Sequence, residues 1–116
     1  MRRLLTAAAL LVALPSLALA ETLTLKPGAS APFTLAENPS TGFNWRIDEG
    51  ASAGLGLLEI SDGGHTPGAA MPGAPGTHQW TIRALKPGKA TIVFAYQRPW
   101  EPAPAETRRL PVIISR

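Results

Sequence analysis

The chain has 116 residues, with 11 Lys+Arg against 8 Asp+Glu, a formal charge of +3, 12 Pro, 11 Gly and no Cys. At ~100–200 residues per domain, this length allows one domain. The missing Cys excludes disulfides, thiol catalysis, Cys-based zinc sites and iron–sulfur centres.

Residues 1–20 form a unit of their own. Arg2 and Arg3 make a basic start, residues 4–17 are nearly all apolar, and Ala18-Leu19-Ala20 is a small-x-small close. This is the pattern of a signal peptide, with cleavage expected after Ala20 and a working domain of 21–116. Thr6, Pro15 and Ser16 interrupt the apolar run, which falls short of the ~20 residues that span a bilayer. No membrane partner is therefore expected after cleavage, and with no Cys following the leader, lipid anchoring is excluded. Without residues 1–20 the chain is 96 residues long, and without Arg2 and Arg3 its charge falls from +3 to +1. No basic stripe is visible, so nucleic acid is not an expected partner. The reading is a monomeric exported domain, periplasmic or secreted, held by its core alone.

From Glu21 onward apolar residues recur with period two in short segments. They are Leu23/Leu25, Phe33/Leu35, Phe43/Trp45/Ile47, Leu58/Ile60, Trp80/Ile82, Ile92/Phe94/Tyr96 and Leu110/Val112/Ile114. Seven such strands, spaced by turn signals and without a helical period, predict an all-β sandwich of antiparallel strands. Val93 and Ala95 alternate with Ile92, Phe94 and Tyr96, which predicts a strand buried on both faces. Pro111 removes a ladder donor, so the last strand is expected at an edge or with a bulge.

The Pro and Gly residues fall between these segments. Leu-Lys-Pro-Gly occurs at 25–28 and at 85–88, and both copies suit a type II turn, with Pro second and Gly third. A third plain connection, 49–56, is small and flexible in composition. The other three differ in kind. Residues 37–42 read Glu-Asn-Pro-Ser-Thr-Gly, and residues 98–106 read Arg-Pro-Trp-Glu-Pro-Ala-Pro-Ala-Glu. Residues 62–76 hold five Gly, three Pro and Ala69-Ala70-Met71. An unstructured loop of ~15 residues is uncommon in a compact domain and is usually functional or disordered. If each strand runs opposite to the last, connections alternate between the two ends of the sandwich. The three unusual loops are then second, fourth and sixth, and share one end. Variable domains of the immunoglobulin type likewise cluster their binding loops at one end.

Catalysis finds little support in these residues. Ser40 and Thr41 lack a Gly-x-Ser-x-Gly elbow and a His or acid at an informative spacing. His65 and His78 could be drawn with Asp62 as a metal site, but the spacing matches no ligand pattern. Both are read as solvated loop residues, and no metal or cofactor is expected. Recognition is better supported. Asn38-Pro39 restricts the backbone twice and Gly42 permits a positive φ, so Ser40-Thr41 is a small uncharged tip on a stiff loop. A preformed loop has already lost the freedom that binding would otherwise remove. Arg98-Pro99-Trp100 sets two residue types common at interface hot spots beside a rigid proline. Trp100 alone either projects as an anchor or folds back on the sandwich. Trp45 and Trp80 keep strand parity with core residues. Phe43, at a loop–strand junction, suits either role.

Taken together, Asn38-Pro39-Ser40-Thr41-Gly42-Phe43-x-Trp45, then Pro72-Gly73-Ala74-Pro75-Gly76 ahead of Trp80, then Arg98-Pro99-Trp100-Glu101, resemble the chagasin family of cysteine-peptidase inhibitors. The motifs occur in family order across the whole domain. The resemblance implies an immunoglobulin-like β-sandwich that inhibits papain-family cysteine peptidases reversibly and without covalent chemistry. It implies a peptidase-binding set of Asn38, Pro39, Ser40, Thr41, Gly42, Phe43, Gly73, Ala74, Pro75, Gly76, Arg98, Pro99 and Trp100. In that scheme Thr41 approaches the catalytic cysteine of the enzyme and Trp100 packs beside the cleft. Two departures are present. Ser40 stands where the family often has Thr, and Gly73-Ala74-Pro75-Gly76 replaces a Gly-x-Gly-Gly pattern. Two other functions compete with inhibition: an exported adhesion module using the same loops for a non-peptidase ligand, and a small hydrolase.

Overall fold

The computed structural model describes residues 21–68 and 74–116. The expected leader at 1–20 lies outside the described residues, as do Ala69-Ala70-Met71, Pro72 and Gly73 of the middle loop.

Among the described residues, seven strands form where the period-two segments lie: β1 (Leu23–Leu25), β2 (Ser30–Glu37), β3 (Asn44–Ile47), β4 (Leu58–Thr66), β5 (Gly76–Ala84), β6 (Gly88–Gln97) and β7 (Glu106–Ile114). They make two sheets, ordered β1-β7-β6-β3 and β2-β5-β4. Strict alternation on β5 buries Gly76, His78, Trp80, Ile82 and Ala84 and exposes the residues between them. The two sheets meet through aromatic rings. Phe94 of β6 lies 5.1 Å from Phe33 and 4.7 Å from Trp80, both on the opposing sheet. Trp80 and Phe94 are almost fully buried, and each such side chain contributes on the order of 1.5–3 kcal/mol or more. On β6, Ile92 and Phe94 belong to the core cluster, while Val93 and Ala95 are buried outside it, so both faces are covered as expected.

β1 pairs with β7 in parallel, Leu23 opposite Val112 and Leu25 opposite Ile114, whereas the sequence reading has antiparallel strands. Alternation itself requires this: the first and seventh of seven alternating strands run the same way. Pro111 follows from the same pairing. β7 is not an edge strand and its register with β6 runs without a bulge. β1 covers only 112–114, so Pro111 lies just past its end and its missing N–H breaks no pairing there.

The two Leu-Lys-Pro-Gly segments do not share one turn. At the first, Ala29 N–H donates to Lys26 O (2.9 Å) with Gly28 at φ +87, which is the type II arrangement. At the second, Gly88 is already the first residue of β6, at φ +149. The middle connection is also shorter than 62–76. β4 continues to Thr66 across a bulge between Asp62 and Gly64, so the glycine pair bends a strand instead of ending it. The connection 49–56 is tied down by a bridge between Ala53 and Thr91.

Candidate functional site

The ends of the second, fourth and sixth connections meet. Glu37 pairs with Gly76 across β2 and β5, and the Asn38 N–H donates to the Tyr96 hydroxyl (3.0 Å) at the end of β6.

The first loop is built around Asn38. Pro39–Thr41 makes one 3-10 turn, with Asn38 before it and Gly42 closing it at φ +88. The Asn38 carbonyl accepts the Thr41 N–H (3.2 Å) and the Thr41 hydroxyl (2.8 Å), and its Oδ1 accepts the Ser40 hydroxyl (2.6 Å). Pro39, Ser40 and Thr41 are nonetheless exposed. The tip is therefore presented to solvent while its hydroxyl protons are turned inward, onto an amide and a carbonyl that cannot act as a general base.

The third loop is a turn at Arg98–Glu101, closed by the Glu101 N–H on Arg98 O (3.1 Å), with Pro99 at its favoured second position. Gln97 Nε2 donates to Glu101 O (2.7 Å), and Arg98 Nη1 lies 3.4 Å from Glu101 Oε2. Arg98 also crosses to the first loop. Its Nε donates to Thr41 O (3.0 Å), and its guanidinium lies 4.3 Å from the Phe43 ring centre and 5.9 Å from that of Trp100. Phe43 stacks in turn on Tyr96 at 5.0 Å, so it is sandwiched between a cation and a ring. Trp100 is 70% exposed and lies against Gly42. It projects from the turn and does not fold back into the core. Trp45 and Trp80 are in the core, as parity requires. Beside the third loop lies a hollow of about 220 Å³ lined by Asn44, Arg46, Gln97, Arg98 and Pro99.

Of the middle loop, Ala74 is half-buried, Pro75 is exposed, and Gly76 is the buried first residue of β5. Gly73 lies outside the described residues. The structure thus gathers Asn38 to Phe43 with Arg98 to Trp100, and sets Gly76 beside their base through Glu37.

The histidines are not solvated loop residues. His65 and His78 face each other across β4 and β5, and His78 is buried, stacked on Trp80 at 4.3 Å. His65 Nδ1 lies 2.9 Å from Glu37 Oε1, and His78 Nδ1 lies 2.9 Å from Glu37 Oε2. His78 Nε2 lies 2.6 Å from Asp62 Oδ1. Three of the four ring nitrogens, His65 Nδ1 and both of His78, thus face carboxylate oxygens. Burial pushes the Glu37 carboxyl up, but the Trp45 N–H, His78 and His65 outweigh it and hold it below 4.5. Burial pulls His78 down, but its hydrogen bonds and charge interactions with Glu37 and Asp62 outweigh that and hold it above 6.5. Sequence reasoning drew His65, His78 and Asp62 together only to set them aside, and missed Glu37 and Tyr96. Parity offered a signal for two members, since Glu37 keeps step with Phe33 and Leu35, and His78 with Trp80 and Ile82.

Comparisons with known proteins bear on the family and the fold. The sequence model of the chagasin family peptidase inhibitors (I42) matches residues 24–114. Amoebiasin-1 of Entamoeba histolytica is 34% identical over 83 residues, 70% of this chain and 76% of that protein. The crystal structure of the cysteine protease inhibitor EhICP2 from Entamoeba histolytica superposes with a TM-score of 0.62 at 29% identity, covering 81% of this chain and 85% of that one. PbICP-C, whose structure is that of a complex with falcipain-2, shares the fold with a TM-score of 0.62 at 22% identity, covering 82% and 88% of the two chains.

Proposed function

The chain belongs to the chagasin family of peptidase inhibitors, and on that premise we propose that it blocks papain-like cysteine peptidases reversibly, by filling the active-site cleft with the loops at 38–43, 73–76 and 98–100. The observation that carries this reading is the joining of the first and third loops by Arg98, which reaches Thr41 and stacks on Phe43 beside an exposed Trp100. The joined loops form a preordered edge, so little conformational freedom remains to be lost on binding. An interface of standard size buries roughly 1,600 Å² in total, which is the area the three loops would have to cover.

Inhibition of this kind needs occupancy and no chemistry, which suits a tip whose hydroxyls donate to Asn38. Export is the finer part of the proposal. The basic start, apolar run and small-x-small close of residues 1–20 support a leader that sends the domain 21–116 to the periplasm or out of the cell.

Titration of papain with the purified protein tests the function. Activity is expected to fall stoichiometrically and to return on dilution. Full papain activity in the presence of micromolar protein overturns the proposal.

A further inference from the structure

Four ionisable side chains gather beneath the loop end, and the cleft-filling loops described above do not use them. Glu37 is the node. It is 1% exposed and stands one residue before Asn38. Its Oε2 accepts the Trp45 N–H (2.8 Å) and faces His78 Nδ1, while its Oε1 faces His65 Nδ1. One carboxylate thus connects both ends of the first loop, at 37 and 45, to β4 and β5, the strands that lead into and out of the middle loop. Trp45 Nε1 closes the same base on Ala36 O (2.7 Å). Asp62 is held by the Gly64 N–H (2.7 Å) at the bulge, which turns it onto His78 Nε2.

Both ring nitrogens of His78 therefore face carboxylate oxygens, at 2.9 and 2.6 Å. A neutral imidazole has one donor and one acceptor nitrogen, so one contact would set a lone pair against a carboxylate. Only the imidazolium donates at both.

We propose that Glu37, His78, Asp62 and His65 are positioning residues of the inhibitory edge, forming a lock that holds the first and middle loops together while His78 carries its second proton and loosens them when it does not. The proposal rests on the cleft-filling reading for its effect on inhibition, but not for the lock itself. The ionisable groups facing His78 are Glu37 from β2 with Asp62 and His65 from β4; β3 contributes the Trp45 N–H to Glu37, and β6 the Tyr96 hydroxyl to Asn38. Arg46 on β3 bonds Gln97 instead. Loss of the proton leaves Glu37 and Asp62 against a neutral ring, in a place where water screens Glu37 little. The balance of burial and partners already favours the charged ring.

Two measurements on the same protein test this. In an NMR pH titration, the His78 ring is expected to titrate above 6.5, and the amides of Asn38 and Trp45 to shift with the same midpoint. In the second, the papain inhibition constants of the wild type and His78→Gln are compared at each pH, which cancels the titrations of papain itself. The ratio is expected to change on the order of tenfold through that midpoint, the factor that one pKa unit of coupling represents. Asp62→Asn, at an exposed position, is expected to move the midpoint to lower pH. A ring titrating at or below 6.5, amides that ignore its midpoint, a flat ratio, or an unmoved midpoint in Asp62→Asn overturns the lock. If papain is not inhibited at any pH, the cleft-filling reading fails, and the NMR titration alone decides on the lock.

Discussion

Trp100 rests against the one residue of the first loop that has no side chain: a β-carbon placed on Gly42 would stand 2.7 Å from Trp100 Cη2. The same Gly42 holds φ +88, a conformation that L side chains rarely adopt. Turn and anchor thus make the same demand on one position. Gly42→Ala is expected to cost on the order of 1–3 kcal/mol at the loop and to weaken papain inhibition at least tenfold, measured as the inhibition constant. An unchanged constant would show that Trp100 and the first loop do not act as one surface.

Trp100→Ala separates binding from folding. At 70% exposure the ring contributes little to the core, so the unfolding free energy is expected to stay within about 0.5 kcal/mol of wild type. Affinity for papain is expected to fall by about 2 kcal/mol or more if the ring anchors the interface. Urea unfolding and inhibition titration on one preparation give both numbers.

Arg98 is expected to resist conservative replacement. Its Nε–Thr41 contact and its stacking on Phe43 both need a planar guanidinium. Arg98→Lys is expected to lose about 1 kcal/mol of affinity, and a double-mutant cycle with Phe43→Leu to show a coupling of roughly 0.5–1 kcal/mol. Zero coupling would show that the two side chains contribute independently.

Stability should vary with pH in a defined direction. Glu37 is held below 4.5, so its contribution is whole above 4.5 and fades as pH falls through its folded value. His78 is held above 6.5, so its contribution is whole below 6.5 and fades as pH rises through its folded value. Urea midpoints are therefore expected to peak between 4.5 and 6.5. Glu37→Gln, which leaves His78 facing a neutral partner, is expected to cost about 3–5 kcal/mol and to flatten the profile.

Thr41→Asp adds a charge at the exposed tip, where it would enter the cleft. Inhibition is expected to fall strongly, by several kcal/mol if the charge is desolvated without a partner. Thermal unfolding should move little, because Thr41 is exposed.

Most of the strands were legible because one face of each is buried, and period two records that directly. Trp80 with Ile82 and Ile92 with Phe94 are clear instances. Loop clustering was legible because direction alternates regardless of which strands pair. Three features were not. Gly63-Gly64 reads as a turn, yet the ladder resumes after one unpaired residue, since a glycine pair serves a bulge as well as a loop. The exposure of Trp100 depends on the path of a proline-rich turn that periodicity does not describe. The Glu37–His78 contact joins residues 41 positions apart, and only pairing of β2 with β5 brings them together.

The bulge at Asp62–Gly64 has a second consequence. β4 lies at the edge of its sheet and would otherwise offer a long ladder of open N–H and C=O groups to another molecule. The extra residue breaks that ladder midway and increases the local twist. The bulge that aims Asp62 at His78 through the Gly64 N–H thereby also guards the flank of the sandwich against edge-to-edge strand addition, the route by which β-rich proteins assemble into fibres.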